Sequence, residues 1–296
     1  MMKFVRYLQN NAIEIGIFNA NKTAIMNLKN VFLQKDLSTM QKVIENLTDR
    51  DINKLHSWLQ NEKLFKTKTA DVKILAPIER PLHDILCVGV NYSAHLQEAK
   101  DRVDGFKKET NDAVYFSKRA IKILGTNEAV QACLDIDSAL DYEVELAVII
   151  GKSGKNIKRE EAEDYIFGYS IFNDFSSRRL QKKHMQWFRG KSLDTYSAMG
   201  PVILHKSALP FPVEVDIKCS VNGELRQNSN TKLFLHNIPA IISELSQGMT
   251  LEAGDIIATG TPAGVGMGYK PGKWLKKGDS VVCEISSIGK LINTIE

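Results

Sequence analysis

The chain has 296 residues, of which 43% are hydrophobic and 25% are charged, values close to the averages for globular proteins. This composition excludes a disordered, collagen-like or coiled-coil chain, and the longest apolar runs, 85–90 and 146–150, are too short to span a membrane. The net charge of +4 comes from residues 1–70 and the remainder is nearly neutral, which argues against a nucleic-acid-binding surface.

The first residues enter an alternating pattern without the apolar segment of a signal peptide, so the sequence predicts a cytoplasmic protein. The length fits two domains of ordinary size, or one large domain with an appendage. The cysteines are too far apart for a Cys-x-x-Cys zinc or redox pair and too few for a dense disulfide framework. They are expected to be buried thiols, at positions Cys87, Cys133, Cys219 and Cys283.

The N-terminal part has the pattern of a small α+β unit. Residues 3–8 and 12–18 predict two strands joined by a turn. A capping box at 38–41 predicts the start of an amphipathic helix, and a second helix follows it. The inward positions are Met40, Val43, Ile44 and Leu47 in the first helix and Ile52, Leu55 and Leu59 in the second. A polar stretch then leads to two prolines, which predicts a boundary between domains 1–70 and 71–296.

The larger part is richer in strands. Residues 85–90 predict a buried strand, residues 92 to about 100 a short helix, and the charged residues 101–112 a mobile loop or lid. Further along, the pattern predicts a strand at 139–150, a helix at 159–166, a strand at 167–172 and mostly strands thereafter. Helices and strands do not alternate as a doubly wound parallel sheet requires, so the predicted class is β-rich α+β.

The most informative segment is an acidic and apolar run at 141–150. Side chains alternate between the two faces of a strand, so Glu143 and Glu145 share one face. The pair fits an edge strand with a solvated face, and it also fits a buried strand, because apolar residues continue on both faces. Two buried carboxylates this close would repel each other unless a cation is present. A divalent metal ion would supply that cation.

Asp174, at the end of a predicted strand, offers a third carboxylate. Three carboxylates completed by water are a usual way to hold Mg²⁺, and Mn²⁺ fits as well. Alone, Asp174 also fits a turn or a helix cap. Together with the glutamate pair it predicts a metal site made of Glu143, Glu145 and Asp174.

Three carboxylates around one dication leave an excess of negative charge, so an anionic substrate would require additional cations. Arg178 and Lys191 are the candidates, although both also fit ordinary surface positions. Lys191 lies in a Gly-Lys-Ser sequence that resembles a phosphate loop, but Met185 stands where that motif needs its first glycine. Nucleotide binding is therefore not expected.

A further candidate element lies at 91–98, where a helix would place His95 and Glu98 on one face. The carboxylate would then orient the imidazole as in a general-base dyad, although such pairs also occur on solvated surfaces. The other histidines have no comparable partner and are interpreted as structural. The glycine-rich run 259–268 fits a tight loop between strands, and its hydroxyls and backbone N–H groups could also bind a carboxylate.

Five motifs, in this order, resemble the fumarylacetoacetate hydrolase superfamily over about residues 72–296. They are GVNYSAH at 89–95, DYEVELA at 141–147, FGY through ND at 167–174, GKSLDT with MGP at 190–201, and TGTPAGVG at 259–266. The layout with a small N-terminal domain is similar to that of bacterial members described as oxaloacetate decarboxylases or acylpyruvate hydrolases. In two places the chain departs from the family pattern. Arg179 stands where an acid is usual, which affects the local charge balance and substrate preference, and Tyr196-Ser197-Ala198 replaces the common Phe/Thr-Cys-Pro.

The resemblance implies a mixed β-sandwich or β-roll catalytic domain behind a small N-terminal α+β domain, a Mg²⁺ or Mn²⁺ site and a homodimer. It also implies roles for nine residues, namely metal ligation by Glu143, Glu145 and Asp174, a lid dyad of His95 and Glu98, a catalytic Lys191 that contacts the substrate, and substrate binding by Arg178, Gln181 and Thr261.

The activity implied by the resemblance is metal-dependent cleavage of the C3–C4 bond of a 2-oxo acid, by oxaloacetate decarboxylation or acylpyruvate hydrolysis. The metal and Lys191 would stabilise the enolate that forms. Two alternatives stay open. A 2-oxo acid tautomerase or isomerase would form the same enolate without breaking a carbon–carbon bond, and a binding protein of this fold would have lost turnover. The expected partner is a small-molecule 2-oxo acid, with no nucleic acid and no membrane.

Overall fold

The computed structural model describes residues 1–102 and 111–296, so most of the predicted lid at 101–112 lies outside the described residues. The described strands are β1 (Lys3–Gln9), β2 (Ala12–Phe18), β3 (Ala24–Asn27), β4 (Thr67–Lys68), β5 (Lys73–Leu75), β6 (Ile85–Gly89), β7 (Val114–Lys118), β8 (Glu128–Val130), β9 (Leu140–Asp141), β10 (Val144–Ile150), β11 (Ile166–Asp174), β12 (Ser176–Ser177), β13 (Ser197–His205), β14 (Asp216–Val221), β15 (Glu224–Asn230), β16 (Ile256–Ala258), β17 (Ser280–Ile285) and β18 (Gly289–Ile295). The described α-helices are α1 (Met40–Asn46), α2 (Asp49–Trp58), α3 (Ser93–Arg102), α4 (Arg178–Lys183), α5 (Phe188–Lys191) and α6 (Ile238–Ser246).

A large mixed sheet forms the centre of the protein. Its strand order is β4-β3-β2-β1-β13-β11-β10-β16-β6-β7, and β5 pairs with β1. Neighbouring strands are antiparallel except for β16 and β6. Because β1 pairs with β13 through Lys3 opposite Leu204, the strands of the first 70 residues extend the same sheet as the rest of the chain. The division into two domains at residue 70 stays a prediction.

A smaller sheet and two helices cover the two faces of the large sheet. The smaller sheet has the order β15-β14-β17-β18-β8, and its apolar side chains share one core with β10 and β11. On the opposite face, apolar side chains of α1 and α2 pack against β10, β2 and β13. All seven residues of β10 are buried between these layers, which explains why that strand is apolar on both faces.

The predicted β-rich α+β class and the N-terminal pair of strands are confirmed. The predicted capping box at 38–41 is wrong, because Ser38 donates its hydroxyl proton to Asp36 and the cap of α1 is Thr39. A reciprocal capping box occurs one helix later, between Thr48 and Asp51 at the start of α2.

Three further predictions need correction. The predicted helix at 159–166 is a 3-10 helix, Arg159–Tyr165, which buries only Ala162 and has no side-chain cap. The predicted strand at 139–150 is divided after Asp141, because β9 turns away to pair with β12. Cys133 is partly exposed, whereas the other three cysteines are buried thiols as expected. Within the described ranges, none of the helices has the length and apolar character needed to cross a membrane.

Candidate active site

Three buried carboxylates meet where β10 and β11 lie side by side. Glu145 belongs to β10, Glu143 immediately precedes that strand, and Asp174 is the last residue of β11. The antiparallel pairing brings them together, and the Asp174 N–H donates to the Glu143 carbonyl at 2.9 Å. One oxygen from each side chain lies within 4.8 Å of the other two. The three residues predicted as metal ligands therefore converge in the fold.

Two buried lysines hold these carboxylates. Lys191 Nζ donates to Glu143 Oε2 at 2.6 Å and to Asp174 Oδ2 at 2.7 Å. Lys118 Nζ donates to Asp174 Oδ1 at 2.5 Å and to the Phe175 carbonyl at 2.9 Å. Both lysine side chains are almost completely buried, so these are charge-assisted hydrogen bonds in a medium that screens them weakly.

Glu143 has cation partners and Glu145 has none among the described residues, so the pKa values of the two glutamates differ. Burial alone would raise the pKa of Glu143, but Lys191 and a neighbouring arginine lower it to about 2. Burial raises the pKa of Glu145 well above its usual value, and the charges of Asp174 and Glu143 raise it further. Glu145 has no cation partner in the described part of the chain and accepts the Gly260 N–H at 2.8 Å. A cation bound beside Glu145 would relieve this repulsion.

Helix α4 positions Arg178 and Gln181 one turn apart. Arg178 Nε donates to Asp141 Oδ2 at 2.8 Å, Nη2 lies 2.6 Å from Glu143 Oε1, and Nη1 donates to Gln181 Oε1 at 3.0 Å. Helix α5 packs directly on α4 through Gly190, where a Cβ atom would lie only 2.6 Å from the Gln181 nitrogen. This close approach explains why glycine precedes the lysine of the site.

His95 and Glu98 lie one turn apart in α3, as predicted. His95 Nδ1 lies 2.8 Å from Glu98 Oε2, and Glu98 Oε1 accepts the Gly264 N–H at 3.0 Å. His95 is buried, and Nε2 is the ring nitrogen left for a ligand. Just before this helix, Val90 has a φ of 54°, which is unusual for a β-branched residue. Strain of this kind is found at functional sites, where the surrounding structure holds it.

The glycine-rich loop 259–268 binds carboxylates of the protein itself. The Gly260 N–H donates to Glu145, and the Gly266 N–H donates to Asp141 Oδ1 at 2.6 Å. Gly260 has a φ of 95°, and a Cβ atom there would lie 2.8 Å from the Val88 carbonyl oxygen, so glycine is required. These two N–H groups are therefore not available to the carboxylate of a ligand.

The hydroxyl of Thr261 is also occupied. It donates a hydrogen bond to the Val144 carbonyl at 2.9 Å and accepts a hydrogen bond from Gln227 Nε2 at 2.8 Å. Gln227 is fully buried, and its Oε1 accepts the Val144 N–H at 3.1 Å, so Gln227 ties the loop to β10. Any contact between Thr261 and a substrate must use other atoms of the residue.

A cavity of about 750 Å³ opens above the carboxylates. Its apolar and aromatic walls come from β7 and several loops and include Phe116, Met185, Trp187, Met267, Tyr269 and Trp274. Seven of the nine predicted site residues line it, namely His95, Glu143, Glu145, Arg178, Gln181, Lys191 and Thr261. The other two, Asp174 and Glu98, lie behind the lining and bond to residues that belong to it. The catalytic and binding roles of all nine stay predictions.

Three buried charged residues near the site were not predicted from the sequence. Asp141 alternates with the two glutamates, which was a usable signal, but it binds Arg178 and loop N–H groups. Asp137 accepts the N–H groups at the start of α4. Lys118 pairs with Asp174, which is 56 residues away, so no local pattern could reveal that contact.

The sequence profile described as fumarylacetoacetate (FAA) hydrolase C-terminal matches residues 84–296. The chain belongs to the fumarylacetoacetate hydrolase family. The resemblance carried by the five motifs is thereby confirmed. One relative in this family, oxaloacetate tautomerase YisK of Bacillus subtilis, is 46% identical over 231 residues, which are 78% of this chain and 75% of YisK. Oxaloacetate tautomerase Fahd2a, mitochondrial, of Rattus norvegicus is 40% identical over 228 residues, which are 76% and 70% of the two chains.

Solved structures of fumarylacetoacetate hydrolase family members have the same fold. The fumarylacetoacetate hydrolase from the psychrophile Exiguobacterium antarcticum aligns with a TM-score of 0.81 at 39% identity, over 100% of this chain and 99% of that one. Maleylpyruvate hydrolase from Sphingobium sp. SYK-6, solved with manganese(II) and pyruvate, aligns with a TM-score of 0.76 at 27% identity, over 99% and 98%. These alignments confirm the predicted fold of the larger part of the chain.

Proposed function

We propose that this family member is a divalent-metal-dependent enzyme that interconverts the keto and enol forms of a 2-oxo acid, with oxaloacetate as the preferred candidate. The observation that carries the proposal is the convergence of Glu143, Glu145 and Asp174 within 4.8 Å at one cavity. Two relatives that match most of this chain are named oxaloacetate tautomerases, which favours this reaction over the others that the family offers.

The three side chains fit a hard divalent ion such as Mg²⁺ or Mn²⁺. All of them offer carboxylate oxygens, and Glu145 has no cation partner among the described residues. The oxygens of Glu143 and Asp174 that accept hydrogen bonds from the lysines retain further lone pairs, because an ionised carboxylate has about four acceptor positions. The maleylpyruvate hydrolase structure with manganese supports the same choice. Such an ion would act as a Lewis acid that polarises the 2-oxo carbonyl.

The cations of the cavity suit an anionic substrate. Burial alone would lower the pKa of Lys191, but Asp174 and Glu143 raise it above its usual value, so Lys191 stays protonated. A fixed ammonium group at this position would stabilise negative charge that develops on the 2-oxygen. Arg178 and Gln181, which are held by their own hydrogen bonds, would orient the substrate carboxylate.

The dyad in α3 would move the proton. His95 Nε2 would accept a proton from C3 of the keto acid, and the imidazolium so formed would deliver that proton to the 2-oxygen. The reverse steps would regenerate the keto form. Glu98, bonded to Nδ1, would fix the tautomer and stabilise the imidazolium. Because one proton leaves carbon and one arrives at oxygen, no carbon–carbon bond breaks and no group is lost.

Cleavage of the C3–C4 bond, by decarboxylation or hydrolysis, is the second candidate. It would use the same enolate and the same cations, with His95 activating water in the hydrolytic case. The structural match to maleylpyruvate hydrolase, solved with pyruvate, favours keeping this candidate. We also propose a homodimer in the cytoplasm, which light scattering of the purified protein and fractionation of cells would test.

The test follows oxaloacetate in two ways at once, by the absorbance of its enol and by the release of pyruvate, with added Mn²⁺ and with EDTA. We expect Mn²⁺ to accelerate ketonisation and EDTA to abolish the acceleration. His95→Asn should lower the rate about 10²–10⁴-fold, the usual contribution of a positioned acid–base group, and should leave the Mn²⁺-dependent rise in Tm intact.

His184→Asn is the matched control, because this histidine is exposed, and it should keep the wild-type rate. Release of pyruvate as fast as the enol disappears would favour the cleavage reaction instead. A protein that binds Mn²⁺ and pyruvate but turns over none of a panel of 2-oxo acids would match the binding-protein alternative.

A further inference from the structure

The mouth of the cavity carries only positive charge among the residues that the structure describes. Arg179 and Lys182 line it from α4, and Lys270 lines it from the loop that follows the glycine-rich run. The acidic residues of the described lining are Glu143 and Glu145, and both lie at the floor with Lys191 and Gly260 as partners. An anion that enters the cavity therefore meets Arg179 and Lys270 before it reaches the carboxylates at the floor.

One short helix supplies both the floor and the mouth. Arg178 and Gln181 are three residues apart and bond to each other at the floor. Arg179 and Lys182 have the same spacing, so they share the next face of the helix. The exposed side-chain fraction is 8% for Arg178 and 71% for Arg179, which places these consecutive arginines in different surroundings. A single turn of helix thus offers cations at two depths of one cavity.

Arg179 is only weakly paired within the protein. Among the described residues its ion-pair partner is Asp137, at 3.9 Å from Nε, the outer limit of an ion pair. The oxygens of Asp137 already accept the Ser177 hydroxyl and the N–H groups of Ala139 and Leu180, besides that of Arg179. Lys270 has no ion-pair partner in the described ranges. Both side chains can therefore turn toward a ligand without breaking a strong contact.

The cavity has room between the floor and these cations. Its volume of about 750 Å³ lies in the range of sites that take ligands much larger than a four-carbon acid. Trp187, Tyr269 and Trp274 line it and provide apolar surface for the carbon chain of such a ligand.

We propose that Arg179, together with Lys270, binds a second carboxylate of the substrate at the mouth. The enzyme then selects 2-oxo acids with a distal anionic group over 2-oxo acids with a neutral tail. This inference rests on the proposed function, because the 2-oxo acid end must be held at the floor.

The test uses two ligands of equal chain length, 2-oxoglutarate and 2-oxopentanoate, which differ in the distal carboxylate. Calorimetric titration of the Mn²⁺-loaded protein should give a Kd about tenfold lower for 2-oxoglutarate, the lower end for a charge-assisted hydrogen bond, because the mouth is partly solvated. Arg179→Asp, alone or with Lys270→Gln, should remove this difference and raise the Kd of the monoanion 2-oxopentanoate much less than that of 2-oxoglutarate. Arg179→Lys should keep part of it, and the exposed Lys277→Gln is the matched control.

The two failures are distinguishable. If the ratio of the two Kd values in Arg179→Asp equals that of the wild type, the mouth does not bind the distal carboxylate. The inference is then wrong, while the proposed function stands. If neither acid binds in a metal-dependent way to the wild-type protein, the proposed function fails and this inference fails with it. For oxaloacetate turnover, we expect Arg179→Asp to raise KM with kcat nearly unchanged, and to flatten the dependence of kcat/KM on salt.

Discussion

Two buried polar clusters in this protein differ in charge: one consists of ionised side chains, and the other surrounds a neutral histidine. The cluster at the ends of β10 and β11 consists of ions, with the acids Asp141, Glu143, Glu145 and Asp174 against the cations Lys118, Arg178 and Lys191. The cluster at the end of β13 is built on a histidine. His205 Nδ1 lies 2.8 Å from the Ser207 hydroxyl, which lies 2.8 Å from His56 Nε2, and the rings of Phe4 and Phe167 pack beside His205.

The difference lies in whether each cluster is balanced by its own members. Burial, followed by the charges of Lys206 and His56, lowers the pKa of His205 to about 4, so this ring is neutral at physiological pH. Its ring nitrogen has a hydrogen-bond partner and needs nothing further. The ionic cluster has one acid more than it has cations, and that acid is Glu145. A buried site that lacks one positive charge indicates a place where a ligand belongs.

The largest expected effect comes from Glu145→Gln, which removes the acid without a cation partner and keeps its shape. Changes to residues behind metal ligands already cost 10–100-fold, so we expect kcat/KM for oxaloacetate to fall more than about 100-fold. The Mn²⁺-dependent rise in Tm should disappear. The metal-free protein should lose little stability, because the raised pKa of Glu145 already disfavours its ionised form. Glu161→Gln, on the exposed side of the 3-10 helix, should change none of these.

Lys118→Met would remove a cation from the ionic cluster, whereas Glu145→Gln removes an acid. It leaves Asp174 with one buried cation fewer, and the loss of one partner from a buried ion pair costs about 3–5 kcal/mol. Urea unfolding in EDTA would measure this free energy, and Mn²⁺ should restore part of it by replacing the lost charge. Lys122→Met is the control, because that lysine is half-exposed and 3.4 Å from its acid. Equal losses in the two variants would argue against an ionic role for Lys118.

The histidine cluster should lose stability as pH falls, because the buried His205 ring is held neutral in the folded protein. Between about pH 6.5 and 4 the unfolded chain binds a proton at His205 and the folded chain does not, so the free energy of unfolding falls as pH falls. The contribution is fully present above about pH 6.5 and declines by at most about 3 kcal/mol toward pH 4. In His205→Asn this part of the pH dependence should vanish, whereas in His184→Asn it should persist. An unchanged profile in His205→Asn would assign the pH dependence to other groups.

Local periodicity predicted the parts of the site that lie close together in sequence. Glu143 and Glu145 share a face because strand side chains alternate, and His95 and Glu98 share a face because helix residues three apart are neighbours. Both pairs were found together in the fold. Asp174 was predicted to belong to the site only in combination with the glutamate pair, because its position depends on how β11 pairs with β10.

Tertiary contacts determined what the sequence could not predict. Lys118 has no local partner, and the pattern of β7 does not distinguish a buried lysine from an exposed one. The sequence left open whether the N–H groups of the loop 259–268 bind a carboxylate. They bind carboxylates of the protein itself, which depends on the packing of α3 and β10. The helix predicted at 159–166 failed because charged residues with helical propensity bury too little apolar surface there.

The pairing of β1 with β13 has a practical consequence for truncations and chimaeras of this protein. Cutting the chain near residue 70 would strip β13 of a neighbour and leave its backbone groups as an open edge, to which another molecule could add a strand. Chimaeras that exchange the first 70 residues between relatives should therefore preserve the register of Lys3 opposite Leu204 and Phe4 opposite Ile203. The strands of the first 70 residues are best treated as the border of the large sheet.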